Sequence, residues 1–282
     1  MRKRVLVSFI AVMILTVFPG CGMLRTLTTT RAQNQPVTTQ TTQTTPTTTQ
    51  PAVQEDEEIS FTTPTISPTI TSTYCSDEVE NSLKSLQTDY NKVAWGVRYS
   101  PLASVEGVVV SVTMYQESYG GWDLIVAYTN LYDTPISISA SGYAKNSEGG
   151  QNGSIYTNIE ALGPGSTHID KVLCTEMPTG EIHWDAFETK EPVKDYVTWV
   201  ADYNGTRSAY EAIFDYKITN AEAADIDEVV MLVVDEQGRV IDMGMSFPEE
   251  TQQTQYVGSI LCFAGALQAD KMDVCVFANP TK

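Results

Sequence analysis

The chain has 282 residues, with 17 Lys and Arg against 35 Asp and Glu, and only two histidines. Residues 1–50 carry five basic groups and no acid, so the remainder holds all 35 acids against 12 basic groups. So acidic a body argues against nucleic acid and anionic lipid headgroups as direct partners, and suits a soluble surface domain.

Arg2, Lys3 and Arg4 form a short basic start, and residues 5–18 are almost wholly apolar. Pro19-Gly20-Cys21 closes the segment. The run is shorter than the roughly 20 residues a membrane-spanning helix needs, and it fits the apolar part of a secretory signal. The pattern resembles a bacterial lipoprotein signal. That resemblance implies removal of residues 1–20 and a lipidated Cys21 as the first mature residue, held outside the cytoplasm on the cell membrane by two acyl chains.

Residues 26–73 contain 19 threonines, six glutamines and five prolines in 48 positions, with no apolar period. Such a stretch cannot bury enough surface to offset its ordering entropy, so residues 21–73 are expected to form a disordered stalk. Ser76 or Asp77 can then cap a helix, with Asp77 and Glu80 at capping-box spacing. Val79, Leu83, Leu86, Tyr90 and Val93 make one apolar stripe, which predicts a single helix over 77–92 within a linking segment, 74–103.

From about residue 104 the helical period gives way to strand-like runs that repeat about every 90 residues. Residues 108–112 correspond to 196–200, and hairpin turns follow at Gly120-Gly121 and Asn204-Gly205. Residues 124–130 correspond to 214–220, residues 138–144 to 228–234, and residues 171–174 to 259–262. Two modules of about seven short strands, 104–190 and 191–282, have the size of immunoglobulin-like sandwiches. The fold class expected is mainly β: two tandem immunoglobulin-like β-sandwich domains preceded by a short helix and a disordered stalk.

Thr129-Asn130-Leu131-Tyr132-Asp133-Thr134-Pro135-Ile136, followed by a strand and by Leu162-Gly163-Pro164-Gly165, resembles the extracytoplasmic β-sandwich modules of the FxLYD type. The second copy keeps Thr219-Asn220 but has Pro248-Glu249-Glu250 in place of the Pro-Gly turn. The resemblance implies a sandwich on a secreted or anchored protein and carries no catalytic residue with it.

Motifs of catalysis are scarce. His168 and His183 sit at no ligand spacing, and no nucleophile elbow, phosphate loop or zinc pattern occurs. Four cysteines follow Cys21. Cys75, Cys174, Cys262 and Cys275 allow three pairings. Cys262 with Cys275 on neighbouring strands is one candidate, and buried free thiols are the alternative. Glu222, Asp225, Asp227 and Glu228 are the candidate calcium ligands, from one acidic loop. Tyr115, Tyr119, Trp122, Tyr203 and Tyr210 flank the two hairpin turns and are the candidate ligand-binding aromatics.

These features describe a lipid-anchored envelope protein that binds or interacts without catalysis and without a cofactor. Its partners would be the membrane, through the anchor, and another envelope protein or a cell-wall glycan, with no nucleic acid. An envelope enzyme and a solute-capturing lipoprotein of a transporter remain the alternatives. A deep polar pocket with converging carboxylates would favour the enzyme, and an exposed aromatic patch the binder.

Overall fold

In the computed structural model, Ser76 caps the first helix, its side chain accepting the Val79 amide, with Asp77, Glu78 and Glu80 in the first turn. Acids there suit the positive end of the helix dipole. This helix, α1 (Asp77–Lys84), ends at Ser85, and a second one-turn helix, α2 (Thr88–Lys92), follows. The expected single helix is therefore two, broken after Lys84. Leu83 and Tyr90, one on each, both reach the core. The structure describes residues 75–86, 88–101, 107–117, 120–207, 212–262 and 272–282. All belong to the second of two units, Met1–Phe61 and Thr62–Lys282. The segment read as a signal, Cys21 and the expected stalk lie outside the described residues.

Thirteen strands follow: β1 (Val97–Tyr99), β2 (Val108–Gln116), β3 (Trp122–Asn130), β4 (Ile136–Lys145), β5 (Gln151–Leu162), β6 (Thr167–Cys174), β7 (Ile182–Lys190), β8 (Trp199–Arg207), β9 (Ala212–Ala224), β10 (Val229–Asp235), β11 (Val240–Ser246), β12 (Gln253–Cys262) and β13 (Met272–Ala278). They form four antiparallel sheets, ordered β1-β2-β3-β6, β5-β4-β7, β12-β9-β8 and β11-β10-β13. Replacing β2–β7 by β8–β13 in order turns the first two sheets into the last two, apart from β1. The body is thus duplicated strand for strand, and each copy is a two-sheet sandwich.

The registers fix the equivalences. Val108 pairs with Asn130 and Trp199 pairs with Asn220. Val108 therefore corresponds to Trp199, three residues beyond the match expected from sequence. Asn204 and Gly205 consequently lie inside β8, paired with Asp215 and Phe214, and do not form the hairpin turn. The first hairpin does turn at Gly120-Gly121, closed by Glu117 and Gly121. Asn146 and Asp235 hold equivalent turns, each side chain accepting two backbone amides further on.

Three cores result. One fills the first sandwich, around Val110, Leu124, Tyr128 and Ile155. A second fills the other, around Phe214, Ile218, Met231 and Val276. The third lies between the sandwiches. Val109, Ile125, Ala127 and Ile169 from the outer face of the first meet Val230, Leu232, Val234 and Phe277 from the outer face of the second, with Leu83, Tyr90, Val93 and Trp95 wedged between. The faces used are not equivalent. At the positions of Ser111, Ile125 and Ala127 the second copy has Asp202, Asp215 and Lys217. At the positions of Val230, Leu232 and Val234 the first has Ser141, Tyr143 and Lys145. Each copy is thus apolar on the one outer face it uses.

The wedge binds both sides. Tyr90 shares a 2.7 Å hydrogen bond with Ser111 of the first sandwich, and Asp89 accepts the Val276 amide of the second at 2.9 Å. Lys92 reaches Tyr203 at 3.1 Å. Gly238 approaches so closely that a Cβ there would sit 2.5 Å from the Lys92 carbonyl oxygen, and its φ of +76° favours glycine as well.

Candidate functional site

The aromatic residues nominated at the hairpins are structural. Tyr115 is 6% exposed and belongs to the core between the sandwiches. Trp122 is half-buried against the first sandwich. Tyr203 is half-buried, takes the Lys92 bond and donates to the Val274 carbonyl at 2.9 Å. None is offered as a surface platform, because strand alternation turns Trp122 and Tyr203 inward and the second sandwich covers Tyr115. Tyr119 and Tyr210 lie outside the described residues.

The four acids nominated for calcium do not act together. Glu222 is ion-paired with Lys282, and Asp225 accepts the Gln252 amide at 2.7 Å. Asp227 and Glu228 turn to a different place, a cleft beside the first sandwich. Among the described residues, no three His, Cys, Asp or Glu side chains converge closely enough to hold a metal ion.

The thiols are equally dispersed. Cys75, Cys174 and Cys275 are free. Cys275 lies in the core between the sandwiches, on β13 beside β10, whereas Cys262 ends β12 beside β9. The two are not on neighbouring strands, so the pairing considered from sequence does not form. Burial pushes the Cys75 and Cys174 thiols up to about 11, which keeps them protonated and unreactive at neutral pH.

One cleft of about 510 Å³ stands out. Its wall is strand β5 from Tyr156 to Ala161, with His168 and Asp170 of β6. The other side comes from the second copy: Asp227 and Glu228 before β10, and Asn279 and Thr281 at the chain end. Lys194, from the segment joining the copies, sits at the rim and pairs with Glu160 at 2.6 Å. The volume lies within the range of small-ligand sites.

The cleft exists because β6 breaks its own alternation. Val172 and Cys174 face the first core, and His168 and Asp170 share that inward parity. At the corresponding positions the second copy has Tyr256 and Gly258, which pair with Ile218 and Tyr216. The first copy instead places polar groups on the inner surface where the sandwich opens beside the second copy.

Their hydrogen bonds run in one direction. Thr157 donates to Asp170 Oδ2, so the Tyr128 hydroxyl, 2.8 Å away, must donate to Thr157 Oγ1. Asn279 donates to His168 Nδ1 at 3.1 Å, which leaves the ring proton on Nε2, 3.0 Å from Asp170 Oδ1. A chain of bonds thus leads from the buried core of one copy to the end of the other. Asp170 has two donors. Glu228 has no counter-ion. Burial holds its carboxyl above the usual range, and the charges of Asp170 and Asp227 add to this against the opposing effect of His168. Glu228 Oε1 and Asn279 Oδ1 are buried acceptors to which no described group donates. Tyr156, 83% exposed, pairs with Ser141 on the outer face of its sheet, so its ring turns away from Thr157 and the inner wall. No family model matches the chain, and no curated protein matches it.

Proposed function

We propose that this chain is a lipid-anchored, extracytoplasmic binding protein whose ligand occupies the cleft between the two sandwiches. The address rests on the basic start, short apolar run and Cys21, and the likeness to FxLYD-type modules is in keeping with it. The observation that carries the binding reading is the cleft itself, which has walls from both copies and unpaired buried acceptors. A glycan or an envelope protein segment is the partner class, reached by a body held away from the membrane on a long stalk. Solute capture for a transporter is a variant of the same reading.

Two experiments test it. Cys21→Ala should move the protein from the membrane fraction to the soluble one, and unchanged detergent-extractable membrane binding would remove the lipid anchor. A ligand present at a hundred times its dissociation constant should stabilise the full chain by about 2.7 kcal/mol. That gain should be lost in a His168→Ala variant. One observation favours an enzyme instead: His168 with a fixed tautomer stands near a carboxyl held above its usual range, a pairing that acid–base catalysis uses. Turnover of cell-wall fragments that Glu228→Gln abolishes would replace the binding reading.

A further inference from the structure

We infer that the ligand of this cleft carries an organic cation, a primary ammonium or a guanidinium, which seats beside Asp227 and Glu228. The inference rests on the cleft being a binding site and names what it takes.

Two of the carboxylates in the cleft are already matched. Glu160 has Lys194, and Asp170 has Thr157 and His168. Asp227 and Glu228 have neither an ion pair nor a hydrogen bond from a described side chain. An anionic ligand would meet two carboxylates without ion pairs, although the Lys194 charge reaches Asp227. A neutral one could donate to Glu228 but would leave a partly buried carboxylate without an opposite charge, which is costly. A cation supplies that charge.

The second observation is independent of charge. Glu228 Oε1 and the amide oxygen Asn279 Oδ1 are buried acceptors without donors, and both belong to the cleft wall. An ammonium offers three donors and a guanidinium five, and neither accepts. The terminal torsions of Glu and Asn are broad, so a small turn presents either oxygen to a donor entering the cleft. With the His168 ring nitrogens already engaged by Asp170 and Asn279, a donor-only group finds acceptors here, and the cationic donor of the lining, Lys194, stands at the rim paired with Glu160.

The third observation separates an organic cation from a metal ion. A metal needs several ligands around one point, and no three described acid, His or Cys side chains converge so. Dispersed carboxylates suit a longer molecule whose donors are spread along it.

The same chemistry comes from a free amine or from a Lys or Arg side chain of a peptide. The full chain in detergent micelles should be titrated calorimetrically with putrescine, arginine and trilysine, and with uncharged diacetylputrescine. Saturable binding of at least one cation is expected, and none of diacetylputrescine. Asp227→Asn or Glu228→Gln should weaken it about tenfold while the thermal midpoint is kept. Affinity should rise with pH as Glu228 loses its proton. Binding of trilysine alone assigns a peptide side chain, and binding of putrescine or arginine alone assigns a free amine. No cation binding, or binding indifferent to both substitutions, overturns the inference. A neutral oligomer of N-acetylglucosamine serves as the separating probe. If it binds and Glu228→Gln alters that binding, the cation is wrong and the cleft remains a binding site. If neither cations nor the oligomer bind, both readings fall.

Discussion

Asn130 shows how much one side chain can organise. It is fully buried, donates to the Thr134 carbonyl at 2.9 Å and the Leu162 carbonyl at 2.8 Å, and accepts the Tyr132 amide at 2.9 Å. One amide thus closes the β3–β4 turn and ties it to the Gly163-Pro164-Gly165 turn, which explains why the two motifs occur together in the first copy. Its counterpart Asn220 donates only to Gln253, at 3.1 Å, and its oxygen is unpaired. Asn130→Ala should therefore cost about 3 kcal/mol, since it orphans buried backbone groups, and Asn220→Ala clearly less. Urea titration of both variants checks the order. The second residue-scale case is Asp123, which is 0% exposed. Lys171 lies 2.8 Å from its Oδ2, off the direction of a good hydrogen bond, and 2.9 Å from Glu117. Burial raises the Asp123 carboxyl despite Lys171 and Tyr115, which pull it down. An acid whose folded value lies above its unfolded value takes up a proton on folding, so the stability it confers falls as pH rises through that window. Lys171→Met should destabilise by about 3–5 kcal/mol at neutral pH. The deficit should shrink in acid, where Asp123 is protonated in both states. A pH-independent deficit would mean that Lys171 acts by packing alone.

At the scale of elements, the helix pair is a wedge whose loss is felt by both sandwiches. Trp95 stacks on Tyr90 with ring centroids 5.4 Å apart and donates to the Tyr90 carbonyl at 2.9 Å. Trp95→Ala should cost about 3–5 kcal/mol. It should also raise amide exchange on β2 and β13 alike, although those strands belong to different copies. The helical stripe was legible because a period of three and four survives the break after Lys84. The strands were legible from β-branched alternation, and their order from the repeat. The slip of three residues at β8 arose because Asn204-Gly205 is a strong turn dipeptide by itself, yet it pairs within the hairpin here. The cleft is hidden in the sequence. Its signal was present in Thr167-His168-Ile169-Asp170-Lys171-Val172, a strand with two polar groups on its inward parity. A core-facing Asp looks like an exposed one until the register is known. Asp227 and Glu228 were singled out for their acidity, but nothing in the sequence says that they face β5 and not Glu222 and Asp225.

At the scale of the molecule, the two copies pack through different faces, and outer-face composition decides which. A contact between unlike faces does not close on itself, and the second copy's other outer face, which carries exposed Val200 and Val257, sets charges among them. Asp202, Asp215 and Lys217 on one free face, and Ser141, Tyr143 and Lys145 on the other, discourage further sheets from adding by the same contact. The duplication was visible in sequence, whereas the asymmetry of packing becomes visible only when equivalent positions are compared by register. It follows that the body should unfold as one unit while the central core holds, since each sandwich shares that core with the wedge and with its neighbour. Leu232 is the place to test this, because it is fully buried between the sandwiches and its counterpart is Tyr143. Leu232→Asp puts a charge where no partner exists, at a cost of about 3 kcal/mol or more. The charge can be hydrated only if the sandwiches part. The wild-type chain should show a single calorimetric transition, and the variant two, because the cores around Leu124 and around Met231 are untouched by the substitution. A single transition at lower temperature in the variant would mean that neither sandwich stands alone, and that the central core is the part on which both depend.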